Sequence, residues 1–115
     1  MKVETFLENI GGEESVQIVT KESIWEEEMT KVFCCDLLSV AMGKAPAGGV
    51  WVTVIANVNT LAVAALTETA CVILAEGANL EEALIEKARQ EGVCLLATEL
   101  PVYEAACLAD RYLHG

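Results

Sequence analysis

At 115 residues the chain can close one hydrophobic core and is too short for two. Hydrophobic residues make up 54% and charged residues 22%, a balance that argues against disorder. A net charge of −11 with only seven Lys/Arg argues against nucleic acid and anionic membranes as partners, because both demand a basic patch.

The charge is unevenly placed. Residues 1–36 carry 9 Asp/Glu and 3 Lys/Arg, residues 37–75 carry 1 and 1, and residues 76–115 carry 8 and 3. A nearly uncharged middle lies between two acidic wings. The start, MKVETFLENI, lacks the basic and apolar regions of a signal peptide, so a cytoplasmic location is expected. The five cysteines (Cys34, Cys35, Cys71, Cys94, Cys107) form an odd set without C-x-x-C, and free thiols are expected. With a single His, His114, no metal site is expected, and no cofactor.

In chain order, Val3, Phe6, Leu7 and Ile10 fall at helical spacing over residues 2–9, and Gly11-Gly12 stops that helix. Ser15 to Thr20 alternates as a half-buried strand does. Ser23 with Glu26 has capping-box spacing, but Glu26-Glu27-Glu28 reads as an exposed loop. Met29 to Cys35 reads as a strand. A short helix follows over 37–43, with Asp36 expected as its N-cap.

Ala45 to Thr67 has no charge over a length that could span a bilayer. Pro46, Gly48, Gly49, Asn57 and Asn59 interrupt it, so it reads instead as a buried strand, Val50 to Ala56, and a helix, Thr60 to Thr69. Cys71 to Ala75 is the next strand. Asn79 and Glu82 have capping-box spacing ahead of a helix with Leu80, Ala83, Leu84 and Ala88 on one face and Gly92 at its end. Val93 to Ala97 is a third buried strand, and Thr98 is expected to cap the last helix. Alternation at this spacing predicts an α/β fold: one domain, right-handed β-α-β units, a mostly parallel sheet and helices on both faces. The two earlier strands would add at its edge.

At Cys35-Asp36-Leu37-Leu38-Ser39, with Trp51-Val52-Thr53-Val54, Asn59, Ala62-Val63-Ala64 and Cys71-Val72-Ile73-Leu74 in the same order and spacing, the chain resembles the DRTGG domain family over about residues 14–113. The resemblance implies a fold similar to the N-terminal domain of HPr kinase/phosphorylase, with a regulatory or ligand-sensing role and self-association. It does not carry kinase activity, since no G-x-x-x-x-G-K-[ST] occurs. The segment that names the family is degenerate: residues 26–31 read Glu-Glu-Glu-Met-Thr-Lys. The turn before Asn59, often His-Pro in relatives, is Asn57-Val58.

Ligands of open parallel sheets bind beyond the carboxyl ends of the strands. That edge collects Cys35, Asp36, Ser39, Asn57, Asn59, Glu76 and Gly77 as candidate ligand contacts, with Thr98 and Glu99 beside them. For Asp36, capping, ligand contact and an interface role are all open. Asn57 and Asn59 can cap a helix or bind, and Glu76 can be a solvated loop carboxylate. Cys35 is a poor nucleophile beside a carboxylate, and no catalytic residue is assigned.

Three functions follow. The first is a non-catalytic regulatory or small-ligand-binding module that forms a homo-oligomer. The alternative is a scaffold docking on a partner enzyme through the apolar middle or an acidic wing. The least favoured is an enzyme using Asp36 as general base, which lacks a second group in sequence.

Overall fold

A computed structural model describes residues 1–114. The elements are α1 (Val3–Ile10), β1 (Val16–Thr20), β2 (Val32–Cys34), α2 (Leu38–Lys44), β3 (Val50–Thr53), α3 (Val58–Leu66), β4 (Cys71–Leu74), α4 (Glu82–Glu91), β5 (Cys94–Thr98) and α5 (Val102–His114). The sheet runs β1-β5-β4-β3-β2; β2 to β5 are parallel, and β1 pairs antiparallel with β5. The mostly parallel α/β domain predicted from the alternation is the fold observed. The two earlier strands occupy opposite edges.

The strands sort their side chains by the two-residue period of the pleat. Val50, Val52, Cys71, Ile73, Cys94 and Leu96 face one core, against α1 and α5. Trp51, Val72, Leu74 and Leu95 face the other, with Ala41 of α2, Leu61 and Ala64 of α3, and Leu84 and Ala88 of α4. Every residue of β3 and β4 is buried. This is why the middle of the chain is uncharged: a strand covered on both faces has no exposed side. Each fully buried Val or Leu there stabilises the fold by about 1.5–3 kcal/mol relative to exposure. Cys71 and Cys94 lie side by side in register, both free and buried. Burial pushes the Cys71 thiol well up, with a hydrogen bond to Cys94 adding to it.

Several ends differ from the sequence reading. β2 begins three residues later than expected, because Met29 is buried and gives its N–H to the carbonyl of Met1 instead of a ladder partner. β3 stops at Thr53, since the next N–H, that of Val54, goes to a side chain. α3 starts at Val58 and ends at Leu66, with Glu68 at φ 58 closing the turn. The Asn79–Glu82 capping box does not form: α4 begins after Glu81 with no side-chain cap, and Asn79 Nδ2 reaches Glu81 Oε1 at 3.4 Å. Gly92 does end α4, at φ 66, in the left-handed region where glycine carries no Cβ penalty. No helix among the described residues is long and apolar enough to cross a membrane.

Candidate functional site at the strand ends

Cys35 and Asp36 follow β2 directly, Asn57 and Asn59 open α3 after β3, and Glu76 and Gly77 follow β4. Ser39 lies in the first turn of α2. Because β2, β3 and β4 are parallel neighbours, all of these lie at one end of the sheet. The structure divides them into two groups.

The first group is built around Asp36. It is not the cap of α2: the N-cap position is Leu37, and no side chain bonds there. Asp36 Oδ1 instead accepts the Thr53 hydroxyl at 2.7 Å and the Val54 N–H at 2.9 Å. Thr53 Oγ1 in turn accepts the Ile55 N–H at 3.2 Å. Trp51 Nε1 donates to the Cys35 carbonyl at 2.9 Å, so β2 and β3 are bound together just past their ends. The reason is register. β2 is short, its last residue pairs with Val52, and two residues on, the aspartate faces the N–H groups that β3 no longer uses. Asn57 does cap α3, its Oδ1 accepting the Asn59 N–H at 2.8 Å, and the Thr60 hydroxyl donates to the Ile55 carbonyl at 2.7 Å.

Cys35 is half-buried and its thiol donates to the Leu37 carbonyl at 3.3 Å. Cys34, exposed at the end of β2, is pushed up by burial and then by the charge of Asp36. That direction disfavours a thiolate here.

The second group is built around Glu76 and Gly77, both in left-handed backbone at φ 62 and 67. Their N–H groups go to the carbonyls of Leu100 and Thr98 at 2.9 and 3.0 Å, which fixes this turn to the connection leaving β5. Glu76 Oε2 then accepts the Val102 N–H at 3.1 Å and so caps α5 from a different loop. Thr98, the expected cap, donates instead to the Ser15 carbonyl at 2.6 Å and accepts the Leu100 N–H at 3.1 Å. Glu99 lies directly against Gly77, where any Cβ would meet its carboxylate.

Three concavities border these groups or lie apart from them. One of about 300 Å³ is lined by Gly77, Glu99, Thr98, Ser15, Gln17 and Glu14. Asn59 lines another, of about 450 Å³, between α3 and α4. A larger groove, about 630 Å³, lies away from the strand ends, between α1 and the segment after β1, with Lys2, Lys21, Leu7, Ile18 and Trp25 among its walls. None of these residues was expected at a binding site, Leu7 being read as part of the apolar face of α1. The signal for them was two lysines, Lys2 and Lys21, ahead of Trp25 and the Glu26-Glu27-Glu28 run. The amides of Asn57 and Asn59 and the hydroxyl of Ser39 each both donate and accept, so each can hydrogen-bond a small polar ligand, although among the described residues no hydrogen bond joins Asn59 or Ser39 to Asp36.

No family model and no curated protein matches this chain. Among solved structures it is similar to the crystal structure of the CBS and DRTGG domains of the regulatory region of Clostridium perfringens pyrophosphatase, complexed with its activator diadenosine tetraphosphate. The identity is 12% and the TM-score 0.73, over 96% of this chain and 46% of that one. The chain thus spans less than half the length of that structure, and the likeness is one of fold.

Proposed function

We propose that this chain is a non-catalytic regulatory module of the DRTGG type that self-associates and holds a small ligand at the strand-end edge. The observation that carries the reading is the fold likeness, over nearly the whole chain, to a regulatory region solved with a nucleotide activator. Cys35, Asp36, Ser39, Asn57 and Asn59 form the side of the edge we assign to the ligand. Glu76 and Gly77 hold the neighbouring turn in place. Asp36 spends Oδ1 on Thr53 and Val54, which favours a positioning carboxylate over a general base.

The test is a thermal-shift screen with nucleotides, diadenosine tetraphosphate among them, with and without magnesium. The expected result is a saturable rise in Tm that Asp36→Asn diminishes. Asparagine keeps an oxygen for the Val54 N–H, so the fold survives the change. No shift with any compound, together with a protein that co-purifies stoichiometrically, would favour the scaffold reading.

A further inference from the structure

The segment between β1 and β2 joins opposite edges of the sheet and passes beneath the amino ends of the strands between them, at the end away from Asp36. The Ile24 N–H bonds the Gly92 carbonyl just before β5, and the Ser23 hydroxyl donates to the Ala70 carbonyl at 3.0 Å just before β4. Trp25 lies on Gly48, just before β3, where any Cβ would strike the indole, and its Nε1 donates to the Glu28 carbonyl at 3.0 Å. These contacts hold a half-buried indole in one place. It forms part of the wall of the groove of about 630 Å³ beside α1, with Leu7 and Ile18 among the apolar side chains there. That volume is of the size that small-molecule sites have.

Three carboxylates, of Glu4, Glu8 and Glu26, line the same groove. Glu4 and Glu8 lie one turn apart on α1, a like-charge pair that destabilises a helix. Glu8 stands in the last turn, where the helix dipole disfavours a carboxylate and no basic residue offsets it. Among the described residues, none of the three has an ion-pair partner. Two lysines also line the groove, but Lys2 is occupied, its Nζ donating to the Glu26 carbonyl, and three carboxylates outnumber two ammonium groups. Unfavourable charges kept beside one cavity point to a ligand that offsets them. We infer that this groove is a second ligand site, for a small organic cation: a primary amine carried on an aromatic or other apolar body. The ammonium meets the carboxylates of Glu4 and Glu8, while the body lies against Leu7, Ile18 and Trp25, whose indole adds a cation–π attraction. This site goes beyond the strand-end reading, since it lies elsewhere on the fold and takes the charge opposite to a nucleotide's.

Titration with tryptamine, an indole bearing an ammonium, tests this, with indole-3-acetate as the same body bearing a carboxylate. Binding is read from the nuclear magnetic resonance shift of the Trp25 indole N–H, with that of the buried Trp51 as internal reference. The expected result is a saturable shift of Trp25 with tryptamine alone, weakened by added salt. Glu8→Gln should weaken binding by about tenfold, the scale of one hydrogen bond to a charged group. The same change removes the repulsion from Glu4, so the Tm without ligand should hold or rise, and weaker binding cannot be ascribed to a lost fold. Glu99→Gln, at the strand-end cavity, should leave tryptamine binding unchanged. A Trp25 shift with indole-3-acetate and none with tryptamine overturns the proposal, because the lysines would then define the groove. No saturable shift with either compound, or a tryptamine affinity that Glu8→Gln does not alter, overturns it as well.

Discussion

The two halves of the strand-end edge use the same group in the same position for different ends. On each, a carboxylate two residues past a parallel strand accepts a backbone N–H from a neighbouring connection. Asp36 does so for Val54 and ties β2 to β3; Glu76 does so for Val102 and caps α5. Their surroundings differ. On the Asp36 half, Leu37 and Val54 are exposed beside that carboxylate and Asn57 caps α3, while Val58 and Asn59 border the α3–α4 cavity that Glu86 and Lys87 also line. The Glu76 half collects Glu99 against Gly77 and borders the cavity that Glu14 also lines. A carboxylate after a strand is therefore not in itself a site. What it can bind depends on the side chains around it, and the Glu76 half sets the neutral Ser15, Gln17 and Thr98 among further carboxylates, Glu14 and Glu99.

Breaking the Asp36 contacts should have the largest effect on the fold. Asp36→Ala removes the acceptor for Val54 N–H and for the buried Thr53 hydroxyl, and is expected to destabilise the chain by about 2 kcal/mol. Urea denaturation should show a lower midpoint with an unchanged slope. Asp36→Asn should lose roughly half as much. If Asp36→Ala leaves the midpoint in place, the carboxylate is not what joins β2 to β3. Glu76 offers a subtler pair. Glu76→Ala keeps the left-handed strain and loses the cap, an expected cost of about 1 kcal/mol. Glu76→Gly loses the same cap but relieves the backbone, so its midpoint should lie above that of Glu76→Ala and near wild type. Equal midpoints for the two would mean that the positive φ costs nothing here.

The sheet was legible in the sequence because its signal is local and redundant. Val50 to Thr53, Cys71 to Leu74 and Cys94 to Thr98 are short apolar runs flanked by turn residues, and burial on both faces leaves few other readings. Gly92 and Asn57 were legible for a similar reason, since each serves the helix next to it in sequence. The roles of Asp36, Glu76 and Thr98 were not. Asp36 and Thr98 sit where a local cap is expected and Glu76 where a solvated loop carboxylate is, yet they bond across 17, 83 and 26 positions of chain respectively. Spacing rules see a side chain and the backbone a few residues on. They do not see a strand that ends early and leaves an N–H pointing at a different loop. Asn79 failed in the opposite sense: its spacing to Glu82 was right, but the helix began later.

A third carboxylate on the acidic half carries the smallest effect and separates the halves by pH. Glu13, three residues before β1, accepts the Tyr112 hydroxyl of α5 at 2.5 Å. That hydrogen bond holds the Tyr112 phenol above its usual range, with burial and the Glu13 charge adding to it and Arg111 opposing. The folded pKa is raised, so the neutral phenol is the form the fold favours. Its contribution is complete below the unfolded value, about 10, and is lost as pH rises through the folded one. Stability should therefore decline on the alkaline side from this contact. Tyr112→Phe should lower the midpoint slightly at neutral pH and flatten the alkaline decline, while Asp36→Ala should leave that decline as steep as in wild type. Denaturation midpoints measured from neutral to strongly alkaline pH would distinguish them. An alkaline slope that Tyr112→Phe leaves unchanged would show that the Glu13–Tyr112 bond does not hold the two elements together.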